Sequence, residues 1–204
     1  MVLPEICVIR HGETEWNRAG RMQGGLDSPL TDLGRAQSRA MARALREVGV
    51  LAGVWSALTS PQGRAVETAR LALMTLGMQA LPDPDLREIA MGDWAGLSRA
   101  EITNGWPGPQ DEHFLETYAR APGGEGFDAL WDRVGRVLSG LTGPTVIVTH
   151  GMTSRFLRTR ALGWDLDRLD VVQGGQGVLF HIRDGVQHVL PGLQDAAAQG
   201  KAGV

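Results

Sequence analysis

Two histidines stand at the ends of short β-type runs, each followed by glycine. Ile6-Cys7-Val8-Ile9 leads into Arg10-His11-Gly12, and Thr145-Val146-Ile147-Val148-Thr149 leads into His150-Gly151. In an open α/β sheet, ligands bind at the carboxyl ends of strands. Two imidazoles delivered there, one beside an arginine, point to chemistry on an anion. Arg64 belongs to the same question. It falls in the first turn of a predicted helix, where the macrodipole disfavours a cation by a few tenths of a kcal/mol up to ~1. Either it is a surface residue, alone or paired with Glu67, or it joins a helix N-terminus in binding an anion. Arg10 carries the same ambiguity.

Other chemistries fit the sequence less well. A metal site would explain two histidines, but there is no His-x-His pair, no His-Glu-x-x-His helix and no carboxylate immediately beside either one. Arg10 would also repel a divalent cation. A Ser-His-Asp hydrolase lacks its Gly-x-Ser-x-Gly elbow, and no phosphate-cradling Gly-x-x-x-x-Gly-Lys-Ser/Thr occurs. Gly123-Gly124-Glu125-Gly126 and Gly174-Gly175-Gln176-Gly177 miss the dinucleotide spacing and read as turns. What remains is imidazole as a nucleophile toward phosphorus, with cations on the phosphoryl oxygens. Neighbouring arginines would lower the histidine pKa and keep the attacking nitrogen unprotonated.

The elements that must position these groups alternate along the chain. The first strand precedes a helix opened by Thr31-Asp32 and closed by Gly49, with Leu33, Ala36, Ala40, Ala44, Leu45 and Val48 as its apolar stripe. Arg35, Arg39, Arg43 and Arg46 then form a solvated face. Val54–Thr59 reads as a strand, Ser60-Pro61 as a helix cap and first turn, and Pro82-Asp83-Pro84 as a loop. Residues 97–126 suggest short helices. An amphipathic helix from Phe127 feeds the second histidine-bearing strand, and another runs from Met152 to Leu162. Val178–Arg183, Asp184-Gly185 and Val186–Leu190 form a hairpin. This order predicts a three-layer α/β/α fold with a mostly parallel central sheet and a C-terminal β-hairpin. We expect one domain over 1–193 and a flexible tail over 194–204.

Bulk properties restrict the function. A net charge of −3 argues against a general nucleic-acid binder. No signal-peptide pattern and no bilayer-length apolar run are present, and the single cysteine, Cys7, suits a reducing compartment. These readings predict a cytoplasmic protein with no membrane partner. Trp55, Trp106, Trp131 and Trp164 could pack in the core or support a homodimer.

At this point the residues resemble a known family. Arg10-His11-Gly12-Glu13-Thr14-Glu15-Trp16-Asn17 is similar to the signature of the histidine phosphatase superfamily, in its phosphoglycerate-mutase-like branch 1. The likeness continues through Gln23-Gly24, Asp27-Ser28-Pro29-Leu30-Thr31, Ser60-Pro61, Arg64-Ala65 and Glu67-Thr68-Ala69. It extends to Glu88, Gly92, Trp94, Gly96, Pro122-Gly123-Gly124-Glu125 and His150-Gly151. The resemblance implies that His11 attacks phosphorus and becomes a phosphohistidine. It implies a phosphate pocket of Arg10, Asn17, Arg64 and His150, with Gln23 and Gly24 also binding substrate. Glu88 would protonate the leaving oxygen and then activate water, and neither metal nor cofactor is required. Ala95 between Trp94 and Gly96 replaces the family's usual glutamate, Gly126 a usual serine and Thr59 a common serine. None of these removes a catalytic group. His113, His181 and His188 match no catalytic position.

The family includes hydrolases and mutases. Residues 97–126 hold two cations, Arg99 and Arg120, against five acids, Glu101, Asp111, Glu112, Glu116 and Glu125. That balance disfavours a second anion site, although Arg99 lies near where mutases place a lysine. The expected function is a phosphatase for a small phosphorylated metabolite. Mutase-type phosphoryl transfer is the alternative, and a non-catalytic phospho-ligand or protein-binding module a weaker one.

Overall fold

Alternation of buried side chains along each central strand builds the molecule. A computed structural model describes residues 3–109 and 111–193; the expected tail, 194–204, lies outside the described residues. In β1 (Ile6–Arg10) the side chains of Ile6 and Val8 join one core, while Cys7 and Ile9 join the other. β4 (Thr145–Thr149) divides in the same way, with Ile147 against Val146 and Val148. A strand presents alternate residues to opposite faces, so apolar residues at every position mark a sheet covered on both sides. Each fully buried Ile or Val contributes about 1.5–3 kcal/mol, which anchors the strand ends firmly.

Among the described residues, β2 (Ser56–Thr59), β3 (Leu81–Pro82), β5 (Val178–Arg183) and β6 (Val186–Pro191) complete one six-stranded sheet in the order β3-β2-β4-β1-β5-β6. β3, β2, β4 and β1 run parallel, and β5 and β6 form the antiparallel hairpin. Asp184 and Gly185, both at positive φ, make its two-residue turn. One face is covered by α2 (Asp32–Val48) and α3 (Gly63–Leu73), after the short α1 (Glu15–Arg18). The other face carries α6 (Phe127–Ser139) and α7 (Gly151–Ala161), which follow α4 (Arg99–Gly105) and α5 (Phe114–Ala119). The three-layer α/β/α arrangement is the one expected.

Local details differ from the sequence reading. β2 starts at Ser56 rather than Val54, and Leu81–Pro82 pairs with it where only a loop was expected. α3 starts at Gly63, with Gln62 and not Ser60 at its N-cap and no side-chain cap; the Ser60 hydroxyl accepts from the Gln62 N–H at 3.3 Å and also bonds a histidine. The buried side of α2 includes Gln37, Ser38 and Met41, whereas Leu33, Ala36 and Ala40 are only partly covered. The N-terminal half of α2 faces a loop rather than the sheet. There Gln37 Oε1 accepts from the Glu13 N–H at 2.8 Å, and the Ser38 hydroxyl donates to the Gly34 carbonyl at 2.7 Å. Gly12 and Gly34 sit so close that a Cβ on Gly12 would lie 2.2 Å from the Gly34 oxygen. Trp55 is buried in the core, Trp131 packs on Phe156, Trp106 on Trp94, and Trp164 is partly exposed beneath Arg168.

Candidate active site

Strand order assembles the site. β4 lies between β2 and β1, so the residues that follow these three strands, Ser60, His150 and His11, are neighbours. The His11 N–H donates to the Thr149 carbonyl, and the Ser60 N–H to the Val148 carbonyl, each at 2.9 Å. His11 is 3% exposed. Its Nδ1 is 2.8 Å from the Gly12 carbonyl, which only accepts, so Nδ1 carries the hydrogen. Its Nε2 is 3.3 Å from Arg64 Nε, which only donates. The imidazole is therefore held neutral, with the Nε2 lone pair turned toward a guanidinium.

Arg64 is 2% exposed, which removes the surface reading, and its partner is Asp27 rather than Glu67. Nη1 donates to the Leu26 carbonyl at 2.6 Å and to Asp27 Oδ1 at 3.0 Å, and Nη2 donates to the Gly24 carbonyl at 3.1 Å. Glu67 pairs with Arg70 instead. Of the five guanidinium N–H groups, one on Nη2 has no protein partner among the described residues. Arg10 Nε is likewise buried and unpartnered. Asn17 accepts on Oδ1 from the Thr14 N–H and hydroxyl, which leaves its amide N–H₂ as a donor. Gln23 donates to the Thr14 hydroxyl at 2.9 Å. Gly24 takes φ +50 beside Met91, where a side chain would be both strained and crowded.

His150 is fully buried, its ring centroid 5.1 Å from that of His11. Nε2 lies 2.7 Å from the Ser60 hydroxyl, and Nδ1 has no partner among the described residues. Glu88 sits at the N-terminus of α7. Its Oε1 accepts from the Ile89 and Thr153 N–H groups at 3.0 and 3.1 Å, and Oε2 from the Met152 N–H at 3.2 Å. The helix end thus orients this carboxyl group. Gln62 braces both sides of the site, accepting from the Glu88 N–H at 2.7 Å and donating to the Gly24 carbonyl at 2.8 Å.

These groups surround a cavity of about 160 Å³. Arg10, His11, Asn17, Gln23, Gly24, Arg64 and Glu88 line it, together with Arg21, Met91, Arg99 and Tyr118. Of the residues expected at the site, only His150 is not part of the lining, since it lies behind His11. The insert over the site is less cationic than its residue count: Arg120 is tied to Glu112 and stacks on Trp94. Glu125 is likewise engaged, by buried Arg133. Among the described residues, no group of three or more His, Cys, Asp or Glu side chains is placed to hold a metal ion.

Burial is the main reason that the His11 pKa lies well below 6.5, with repulsion by Arg10 and then Arg64 adding to it. His150 is lowered in the same direction, by burial first and then by His11, Arg64 and Arg10. The arginines expected to tune His11 therefore come second to desolvation. Unfolding frees both rings to titrate near 6.5, so the unfolded chain binds more protons below that pH. Stability should fall as pH drops from 6.5 toward the folded values, by up to ~1.4 kcal/mol per pH unit for each histidine. Urea unfolding at pH 7 and 5.5 would measure this loss. His150→Gln should reduce the dependence on pH; an unchanged dependence would contradict the assignment.

The profile of the Histidine phosphatase superfamily (branch 1) matches residues 6–183. The chain belongs to this superfamily. It is 32% identical over 170 residues to the "Probable phosphoglycerate mutase GpmB" of Serratia proteamaculans, covering 78% of this chain and 75% of that one. It is 37% identical over 165 residues to "Phosphoglycerate mutase-like protein 4" of Arabidopsis thaliana, covering 77% and 70%. A mycobacterial glucosyl-3-phosphoglycerate phosphatase solved with VO3 superposes with TM-score 0.73 at 27% identity, covering 92% of this chain and 96% of that one. A putative alpha-ribazole-5'-P phosphatase from Escherichia coli superposes with TM-score 0.71 at 26% identity, covering 95% and 97%.

Within this histidine phosphatase site, several contributors were not read as such from sequence. Ser60 looked like a helix cap, and Gln62, Thr153, Tyr118 and Gln176 gave no local signal. Their parts depend on contacts between segments far apart in the chain. His113 caps α5 and His181 pairs with Glu5, both away from the cavity. No helix among the described residues is long and apolar enough to cross a membrane.

Proposed function

We propose that this histidine phosphatase is a metal-independent phosphomonoesterase for a small phosphorylated metabolite. The observation that carries the reading is the paired state of His11: Nδ1–H is bound to the Gly12 carbonyl, so the Nε2 lone pair meets a cavity rich in N–H donors. In this mechanism Nε2 attacks phosphorus as the bond to the leaving oxygen breaks, and Glu88 gives that oxygen a proton. Water then attacks the phosphohistidine, the N–P bond breaks and Glu88 takes the water's proton. Arg10, Arg64 and Asn17 hold the phosphoryl oxygens, with Gln23 and Gly24 beside them, while His150 stabilises the charge that develops. The small cavity favours a compact leaving group. The single cysteine, Cys7, is a buried free thiol, in keeping with our assignment to the reducing cytoplasm.

Mutase-type transfer is the second reading, favoured by the names of the curated relatives and by Arg99 at the cavity wall. The engagement of Arg120 by Glu112 weighs against it, because a mutase must grip a second anion. A metabolite panel containing 2- and 3-phosphoglycerate, run with a chelator, separates the two. Phosphate release that survives chelation and exceeds isomerisation is expected. Dependence on added metal, or isomerisation without release, would contradict the proposal.

A further inference from the structure

The run Gly174-Gly175-Gln176-Gly177 passes directly beside the site, and Gln176 is its only residue with a side chain. Both hydrogens of the Gln176 amide are engaged: Nε2 donates to the His11 carbonyl at 3.2 Å and to Asn17 Oδ1 at 3.0 Å. The same Oδ1 accepts from the Thr14 N–H at 3.2 Å and from the Thr14 hydroxyl at 3.1 Å. With donors on both flanks, that atom must be the oxygen, so the amide N–H₂ is the end left for the cavity.

The loop that delivers Gln176 is itself held from within. Arg155 Nη1 donates to the Leu169 carbonyl at 2.8 Å and to the Val172 carbonyl, and Arg158 Nη2 donates to the Gln173 carbonyl at 2.7 Å. Both guanidiniums are buried, and neither forms an ion pair with a carboxylate among the described residues. Burial pushes the Arg158 pKa down to about 9. Two buried cations that each donate to carbonyls of one loop tie that loop to α7 and make it a fixed part of the site. Gly177, at φ +70, allows the chain to turn from it into β5.

We propose that Gln176 is a positioning residue for the phosphate pocket: its amide locks the orientation of Asn17 so that the Asn17 N–H₂ faces the phosphoryl group. This rests on Asn17 being a phosphoryl ligand. Gln176 touches the pocket through its neighbours, so its effect on anion binding requires Asn17.

The test is calorimetric titration with orthovanadate of the unmodified chain, Gln176→Met, Asn17→Ala and the double variant. Methionine keeps the length of the side chain and removes both donors. Gln176→Met should weaken vanadate binding about three- to tenfold, the scale of one neutral hydrogen bond. In the Asn17→Ala background the same change should be under twofold, since coupled residues are not additive. Gln176→Glu, which sets a carboxylate against two acceptor oxygens, should weaken binding more than Met, and it completes the cycle if Met does not fold. An equal factor in both backgrounds, or none in either, overturns the inference alone. Failure of the unmodified chain to bind vanadate, or indifference to Asn17→Ala, overturns the phosphate pocket and the inference with it.

Discussion

His11→Ala should lower kcat for an aryl phosphate by roughly 10⁴- to 10⁶-fold, the scale on which loss of a covalent nucleophile is felt. The argument is local. The ring is neutral in the folded chain, its Nδ1–H is held by Gly12, and its Nε2 lone pair is presented to a cavity lined by several N–H donors. Alanine leaves those donors in place, so vanadate binding should change far less than kcat. After a brief pulse of labelled substrate, acid-labile label should be found on His11 in the unmodified chain and nowhere in the variant. His150→Ala should behave differently. It removes a buried group behind the nucleophile, so turnover should drop roughly 10²- to 10³-fold, the range for losing one stabilising donor, with the phosphoenzyme still formed slowly. Turnover of His11→Ala within tenfold of the unmodified chain, or label on another residue, would refute the assignment.

Arg64→Met is expected to have the second largest effect, a loss of roughly 10³-fold in kcat/KM, with a loss of stability as well. Methionine fills part of the volume but leaves the Leu26 carbonyl without its donor, while the Gly24 carbonyl keeps the Gln62 amide. Such a group costs about 1–3 kcal/mol where water does not reach it. Asp27 adds little to that cost, because its side chain is 42% exposed and can rehydrate. We therefore expect about 1–3 kcal/mol in chemical unfolding. Arg64→Lys should recover little, since one ammonium cannot serve the Leu26 and Gly24 carbonyls, Asp27 and His11 in the geometry of a guanidinium. There is a pH signature too. Removing a cation beside His11 raises its pKa, so the acid limb of kcat/KM should move to higher pH. The move should be modest because burial is the larger cause of the depression. Nearly full activity in Arg64→Met, or an acid limb displaced downward, would contradict this account.

Ile6-Cys7-Val8-Ile9 and Thr145–Thr149 announced two buried strands through their composition alone, because burial on both faces demands apolar residues at successive positions. The same reading placed a histidine at the end of each. The chemistry open to imidazole beside arginine, together with the ordered motifs from Arg10 to His150, pointed to phosphoryl transfer and to the family. These properties are local: each follows from neighbouring residues or from spacing along one element.

Tertiary structure decided what those groups do to one another. No local pattern shows that β4 inserts between β1 and β2, because strand order depends on which edges pair between segments far apart in the chain. Yet that insertion is what puts His150 behind His11 and Ser60 against His150. Arg64 could not be told from a surface arginine by its helix, since only the loop carrying Gly24, Leu26 and Asp27 turns it inward. Gln176 looked like part of a glycine-rich turn until the sheet brought β5 alongside β1. Sequence alone singled out His11 as the nucleophile we propose and phosphorus as the centre it would attack. Packing of distant segments, where desolvation outweighs neighbouring charge, set its protonation, its tautomer and its partners.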